Sequence, residues 1–171
     1  VFLAGGGPRE RVDQQERPRV LVGGERVGEP GPEVVEAWQV NKSEKLGIEV
    51  ETSTDPEDIK DFYDLQLQTA QRHDFVPFSE AQLRSEFAEF SQRGQAILYS
   101  AKLKDELLAQ ALIIHYPTES SYHFAASSRA GRKYPGAYAI QWQAFADAKK
   151  KNIPRYNFWG IVGKEDKDHR F

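Results

Sequence analysis

The sequence predicts an α/β (α+β) domain in which helices flank a mixed sheet, and three observations carry that prediction. Apolar residues recur at helical spacing in two segments between 56 and 92; three strand-like segments then follow in a row between 95 and 127; and a Gly- and basic-rich loop, a third helix and an aromatic strand close the order. A strand, loop, helix and strand in succession is the connection that lays two strands parallel.

Residues 1–40 stand apart from this pattern. They contain no Ser, Thr, Ile, Tyr, Asn, Lys or His, yet hold seven of the 13 glycines and four of the nine prolines. Their basic residues are five arginines, whereas the rest of the chain carries 11 lysines and seven arginines. The break predicts a boundary at 40/41: a disordered or non-native Gly/Pro-rich segment over 1–40, and one domain over 41–171. Gly5-Gly6-Gly7 is not a phosphate loop, because no Gly-Lys-Ser/Thr follows it.

Each element of the domain has a local cause. Ile48-Glu49-Val50-Glu51-Thr52 alternates apolar and polar, as a half-buried strand does. Asp55 before Pro56 is a cap followed by a first-turn proline, and Ile59, Tyr63, Leu67 and Ala70, with Phe62 beside them, predict a helix over 56–73. Ser79-Glu80-Ala81-Gln82 reads as a capping box with Phe78 placed to staple onto Leu83. Leu83, Phe87 and Phe90 form the stripe of a helix over 80–92, and Gly94 ends it. Strands over 95–103, 106–116 and 120–127, joined by Lys104-Asp105 and Pro117-Thr118-Glu119, predict an antiparallel meander. After the loop Arg129 to Gly136, residues Ala137, Ile140, Ala144 and Ala148 mark the buried face of a third helix, which closes on Lys149-Lys150-Lys151 where cations suit the dipole. Pro154 then opens a strand from Arg155 to Trp159. The loop at 129–136 lies where a ligand would meet the exposed amides of a helix N-terminus.

Composition narrows the function. With 23 basic and 26 acidic residues the chain has a formal charge of -3, so any nucleic-acid contact must rest on local patches. The absence of cysteine excludes thiol catalysis, disulfides and thiolate metal sites. The four histidines, His73, His115, His123 and His169, show no metal-ligand spacing, and none of His73, His123, Ser127 and Ser128 has a nucleophile-base partner evident in the sequence. No apolar run reaches the roughly 20 residues of a membrane span, which together with the lack of a secretory signal predicts a soluble cytoplasmic protein.

Five blocks of text carry a family resemblance: Phe62-Tyr63 with Leu65 and Arg72; Tyr122 through Ala126-Ser127; Tyr138 with Gln141-Trp142; Tyr156-Asn157-Phe158-Trp159-Gly160-Ile161; and the entering run Asn41 to Ile48. In this order and spacing, residues 41–171 resemble the second half of the Fem family of peptidoglycan-bridge aminoacyltransferases, whose halves are built like acyl-CoA N-acyltransferases of the GNAT type. The resemblance implies a GNAT-like mixed sheet. It implies transfer of an amino acid from an aminoacyl-tRNA to the stem peptide of a peptidoglycan precursor, either a nucleotide-linked muramyl pentapeptide or lipid II reached peripherally at the inner membrane surface. It implies no metal or organic cofactor. In the family a complete first half precedes this text, and a Phe-Lys, glycine-rich strand with an important lysine follows the position of His169-Arg170-Phe171. The chain is therefore expected to be truncated and not to catalyse alone.

The same resemblance selects substrate-binding candidates: Arg72, Tyr138, Gln141, Trp142 and Trp159. A guanidinium grips phosphate or carboxylate through two parallel hydrogen bonds, which suits Arg72; its bland alternative is a helix-end cation. His73 reads as a surface residue. Tyr138, Gln141 and Trp142 lie about one helical turn apart and could border a groove, although aromatic residues on such a helix also serve as core. Trp159 could stack on a substrate or pack over the sheet edge, and Gly160 lets backbone approach closely. Two basic clusters, Arg129-Arg132-Lys133 and Lys149-Lys150-Lys151, bracket the third helix and are candidate tRNA contacts or ordinary solvated ends. No catalytic residue is assigned. Two alternatives stay open: an acyl-CoA-dependent N-acetyltransferase whose loop 129–136 cradles pyrophosphate, and a non-catalytic tRNA- or partner-binding module. Against the first, Gly131 sits one place early for the acetyltransferase signature Gln/Arg-x-x-Gly-x-Gly/Ala, and Tyr134 stands where a small residue is wanted.

Overall fold

The structure is a computed structural model that describes residues 33–73 and 75–158, with side chains for all of these except 33–37 and His73. Four helices, α1 (Glu33–Leu46), α2 (Ile59–His73), α3 (Glu80–Gln92) and α4 (Gly136–Lys150), accompany five strands, β1 (Ile48–Ser53), β2 (Ala96–Leu103), β3 (Glu106–His115), β4 (Ser120–Ser127) and β5 (Tyr156–Asn157). The strands form one sheet in sequence order. β1 to β4 run antiparallel, and β5 joins β4 in parallel through Ser120↔Tyr156 and Ser121↔Asn157, as the loop-helix connection between them predicts.

Turn chemistry sets the boundaries. Asp55 accepts the Glu57 amide at 2.9 Å and starts a 3-10 turn over Pro56–Asp58 that leads into α2. Ser79 accepts the Gln82 amide at 3.2 Å at the head of α3. Gly47 and Gly94 take the left-handed conformation (φ +73° and +68°) at the ends of α1 and α3. α1 crosses position 40, where the composition changes.

The helices divide between the two faces. Ile59, Phe62 and Leu65 of α2 and Leu83 and Phe87 of α3 cover Ala96, Leu98, Leu112, Ile114 and Ala126. Ile140 and Ala144 of α4 cover Tyr99, Ala101, Ala109, Ala111 and Ile113 on the other face, and α1 packs on α4 and β1. Three expectations shift. The buried stripe of α2 runs through Phe62 and Leu65, leaving Tyr63 and Leu67 half-buried. On α4 the stripe is Gly136, Ala139, Ile140, Ala144 and Ala148, while Ala137, in the first turn, faces outward. Phe78 does not staple inward: it is 46% exposed and its ring lies 5.4 Å from that of Phe124 on β4. The expected strand 155–159 is described only as far as Phe158, so Trp159 and Gly160 lie outside the described residues.

Candidate functional site

The loop after β4 is held by its own backbone. Ser128 donates its amide to the Leu108 carbonyl at 2.9 Å, and its hydroxyl accepts the Gly131 amide at 2.9 Å. The amides of Arg132, Lys133 and Tyr134 then donate to the carbonyls of Ser128, Ala130 and Gly131. A 3-10 turn over Gly131–Lys133 results, and none of its amides points to a ligand. Glycine is required at 131, because a Cβ there would overlap the Leu108 carbonyl oxygen and come within 2.6 Å of its carbon. Gly136 allows a second close approach, with Leu108 Cβ 3.1 Å from where its own Cβ would sit. Pro135, the residue before α4, offers no side-chain cap. The expected display of exposed loop amides is thus confined to the first turn of α4.

Arg72 reaches across from α2 to this loop. One terminal nitrogen, Nη2, donates to Thr69 Oγ1 and to the Ser127 carbonyl, both at 2.9 Å, while Nε is buried with no partner. The side chain is half-buried, so it is not the freely solvated helix-end cation of the bland reading. It ties the end of α2 to the end of β4, directly before Ser128.

On α4, Tyr138 is 38% exposed, whereas Gln141 and Trp142 are half-buried. The Gln141 amide faces the Tyr122 hydroxyl, and its Oε1 is enclosed without a partner. Burial pushes the Tyr122 hydroxyl up to about 12, with the Gln141 hydrogen bond opposing the rise. Tyr156 is raised further by burial and then by Tyr122 beside it. Its ring packs edge-on against Phe145 and Phe158 at 4.4 and 5.2 Å, which accounts for the aromatic density of the 156–158 text.

A buried polar chain, not foreseen from the sequence, anchors α4 to the sheet. Tyr99 donates to Asp147 at 3.1 Å, so its oxygen accepts from His115 Nε2 at 3.2 Å. That tautomer leaves His115 Nδ1 to accept from the Ser120 hydroxyl at 2.8 Å. Ser120 is fully buried at one end of this Ser-His-Tyr-Asp chain, whereas Asp147 at the other end is half-buried. Its members lie on β2, β3, β4 and α4, and no local spacing reveals them. Burial, and then Lys151, lower His115 to about 4, against a slight upward pull from Asp147. Between about 6.5 and about 4 the unfolded chain binds a proton that the folded chain refuses, so stability is full above that window and falls as pH drops through it. Thermal midpoints should therefore decline from pH 6.5 toward pH 4, and His115→Gln should flatten part of the decline. An equally steep decline in the variant would assign the effect to other groups.

His123 Nε2 lies 2.6 Å from Glu86 Oε1 of α3, a pairing of β4 with α3 that supplies no nucleophile. Arg129, Arg132, Lys133, Lys149, Lys150 and Lys151 are all exposed, at opposite ends of α4. Among the described residues no group of three or more His, Asp or Glu could hold a metal ion, and no helix is long and apolar enough to cross a membrane.

Comparison with known proteins extends this geometry. A family model described as the FemAB family matches residues 78–169, more than half of the chain. The chain belongs to the FemAB family. Aminoacyltransferase FemA from Staphylococcus aureus strains MW2 and COL is 40% identical over 52 residues, which are 30% of this chain and 12% of the relative. The matched stretch thus spans a small part of these curated relatives. Among solved structures, FemX superposes with a TM-score of 0.69 at 19% identity, over 79% of this chain and 50% of that one. A predicted acetyltransferase with acetyl-CoA from Clostridium acetobutylicum gives 0.54 at 14% identity, over 70% and 84%. The fold is therefore GNAT-like, with the five-stranded mixed sheet expected of this FemAB chain.

Proposed function

We infer that this chain is part of an aminoacyltransferase that moves an amino acid from an aminoacyl-tRNA to a free amine on the stem peptide of a peptidoglycan precursor. The observation that carries this reading is the FemAB match over residues 78–169, supported by relatives named as aminoacyltransferases. An aminoacyl ester is already activated, so the protein's task is to hold the amine against it and help remove a proton; positioning alone supplies several kcal/mol of such a barrier, on the order of 7–11 at best. Such a task requires neither a catalytic triad nor a metal.

In this role Arg72 keeps Nη2 on Thr69 and Ser127, and with Nε enclosed it is Nη1 that would meet a phosphate or carboxylate of the precursor. Tyr138, exposed in the first turn of α4, and the half-buried Trp142 one turn on are the α4 side chains offered to the substrate; Trp159, outside the described residues, stays a candidate on the family resemblance alone. Gln141 acts on the site from beneath, through Tyr122. The nucleotide-linked and lipid-linked precursors remain equivalent acceptors, and the reading places the reaction in the cytoplasm with peripheral access to the membrane.

The 3-10 turn at Gly131–Lys133 favours this reading over an acyl-CoA enzyme, because its amides are engaged within the loop and so do not form a pyrophosphate cradle. Calorimetry with acetyl-CoA should show no saturable heat; binding with a Kd in the micromolar range would transfer the assignment to the acetyltransferase class. The basic clusters stand about 22 Å apart along the 15 residues of α4, a span that reaches several phosphates. Replacing Arg129, Arg132 and Lys133 together by Gln should weaken tRNA binding about tenfold and lower the salt slope by about two. An unchanged slope in a gel-shift titration would remove this loop from the interface.

A further inference from the structure

Seven large apolar side chains are exposed among the described residues, and three of them, Phe75, Val76 and Phe78, stand within four positions of the connection between α2 and α3. Val76 is 94% exposed and the two phenylalanines 46% each. Single exposed apolar residues need no explanation, whereas a contiguous group of this kind marks a contact surface.

The connection is fixed at several points. The Phe75 amide donates to the Ala70 carbonyl of α2 at 3.4 Å. The Phe78 ring lies 5.4 Å from Phe124 of β4, and Phe124 in turn lies 4.1 Å from His123, which pairs with Glu86 of α3 at 2.6 Å. Phe78 is thus covered on the Phe124 side and open on the other. Arg72, three positions before Phe75, donates to the Ser127 carbonyl at 2.9 Å. Contacts at both Phe124 and Ser127 therefore lay this connection along the last residues of β4. Arg129, Arg132 and Lys133 follow within six positions of Ser127, and all three are exposed. Open rings and cations meet at one corner of the domain. The acidic residue at the head of α3, Glu80, is already paired with Arg84 at 2.6 Å.

We propose that Phe75 and Phe78 form a stacking platform for unpaired nucleotides, whose phosphates are carried by the cations at 129–133; on the reading given above, on which this inference rests, the occupant is the single-stranded end of an aminoacyl-tRNA. Every base has a π-face, so such a platform needs no base-specific hydrogen bond. The cations attract any polyanion, whereas open rings select unpaired bases over a duplex, whose bases are already stacked. An anionic bilayer would also take cations beside apolar groups, but it asks for side chains that project, and of the three only Val76 is almost wholly free of the body.

The test uses the protein in its full natural length and a labelled single-stranded RNA tetranucleotide ending in CCA, titrated by fluorescence anisotropy at several salt concentrations. The double variant Phe75→Leu/Phe78→Leu keeps apolar bulk against Phe124 but removes both π-faces. It should bind this RNA at least about tenfold more weakly with an unchanged salt slope, and Phe75→Tyr/Phe78→Tyr should bind as the parent does. Equal affinity in the leucine variant and the parent would overturn the platform, as would a parent that binds no single-stranded RNA. Equal affinity together with loss of binding to phosphatidylglycerol vesicles in Val76→Asp would give the surface to a membrane instead. Weakened RNA binding in the leucine variant, with no amino acid transferred by the parent, would keep the platform and overturn the proposed reaction.

Discussion

Gly131→Ala should abolish folding or lower the thermal midpoint by more than about 10 °C, the largest effect of an added methyl group at any glycine among the described residues. The cause is backbone against backbone. A Cβ at 131 would occupy the space of the Leu108 carbonyl, with the carbonyl carbon at 2.6 Å and Cα at 2.9 Å. That carbonyl already accepts the Ser128 amide at 2.9 Å, and Leu108 is fully buried against α4, so neither partner can retreat. Gly94→Ala is the control. Gly94 is left-handed (φ +68°) with nothing within 4 Å, so alanine there costs only the left-handed penalty of about 1–2 kcal/mol. Melts of the two variants should separate them widely. Similar midpoints would mean that the 128–134 loop is not seated on β3 as described.

Arg72→Ala should be the most damaging substitution for activity. It removes two charged hydrogen bonds at 2.9 Å and leaves the Ser127 carbonyl without its donor, a loss of about 1.5–3 kcal/mol in stability. In the proposed reaction it also removes the anion contact, which at the same strength amounts to roughly ten- to hundredfold in kcat/KM. Arg72→Lys separates the two roles. An ammonium can still reach Thr69 or Ser127 but cannot at the same time present a second nitrogen, as Nη1 of the guanidinium would, to an anion. Stability should be largely restored while transfer stays low; recovery of both would reduce Arg72 to a structural tie between α2 and β4.

Legibility in the sequence followed the range of the interactions. The helix at 80–92 was readable to the residue because Ser79, the Leu83/Phe87 stripe and Gly94 are all local signals. The meander was readable for the same reason, with Lys104 taking the left-handed turn position between β2 and β3. Positions that depend on a partner far away in sequence were not. Leu65 is buried because β4 lies beneath it, and Phe78 stays outside because Phe124 receives its ring. The Asp147-Tyr99-His115-Ser120 chain joins four elements across up to 48 positions of sequence, so no motif could announce it. The candidate site divides along the same line. Arg72, Tyr138, Gln141 and Trp142 were visible through family resemblance, whereas the Ser128 hydroxyl that closes the loop and the Tyr122-Tyr156 neighbourhood of Gln141 needed the fold.

Under the proposed function, the loop also bears on how a GNAT-like scaffold would serve an aminoacyl-tRNA. With the amides of residues 131–134 engaged internally or by Ser128, the chain after β4 presents exposed Arg129, Arg132 and Lys133 instead. Side-chain cations on a solvated loop suit a large, mobile polyanion better than a pyrophosphate held by backbone.

The most direct measurement is a donor competition. The protein in its full natural length is given a peptidoglycan precursor together with labelled aminoacyl-tRNA and differently labelled acetyl-CoA. The account predicts that the precursor acquires the amino acid and no acetyl group, and that Arg72→Lys slows this by at least about tenfold. Acetylation of the precursor, or tRNA binding without any transfer, would contradict it.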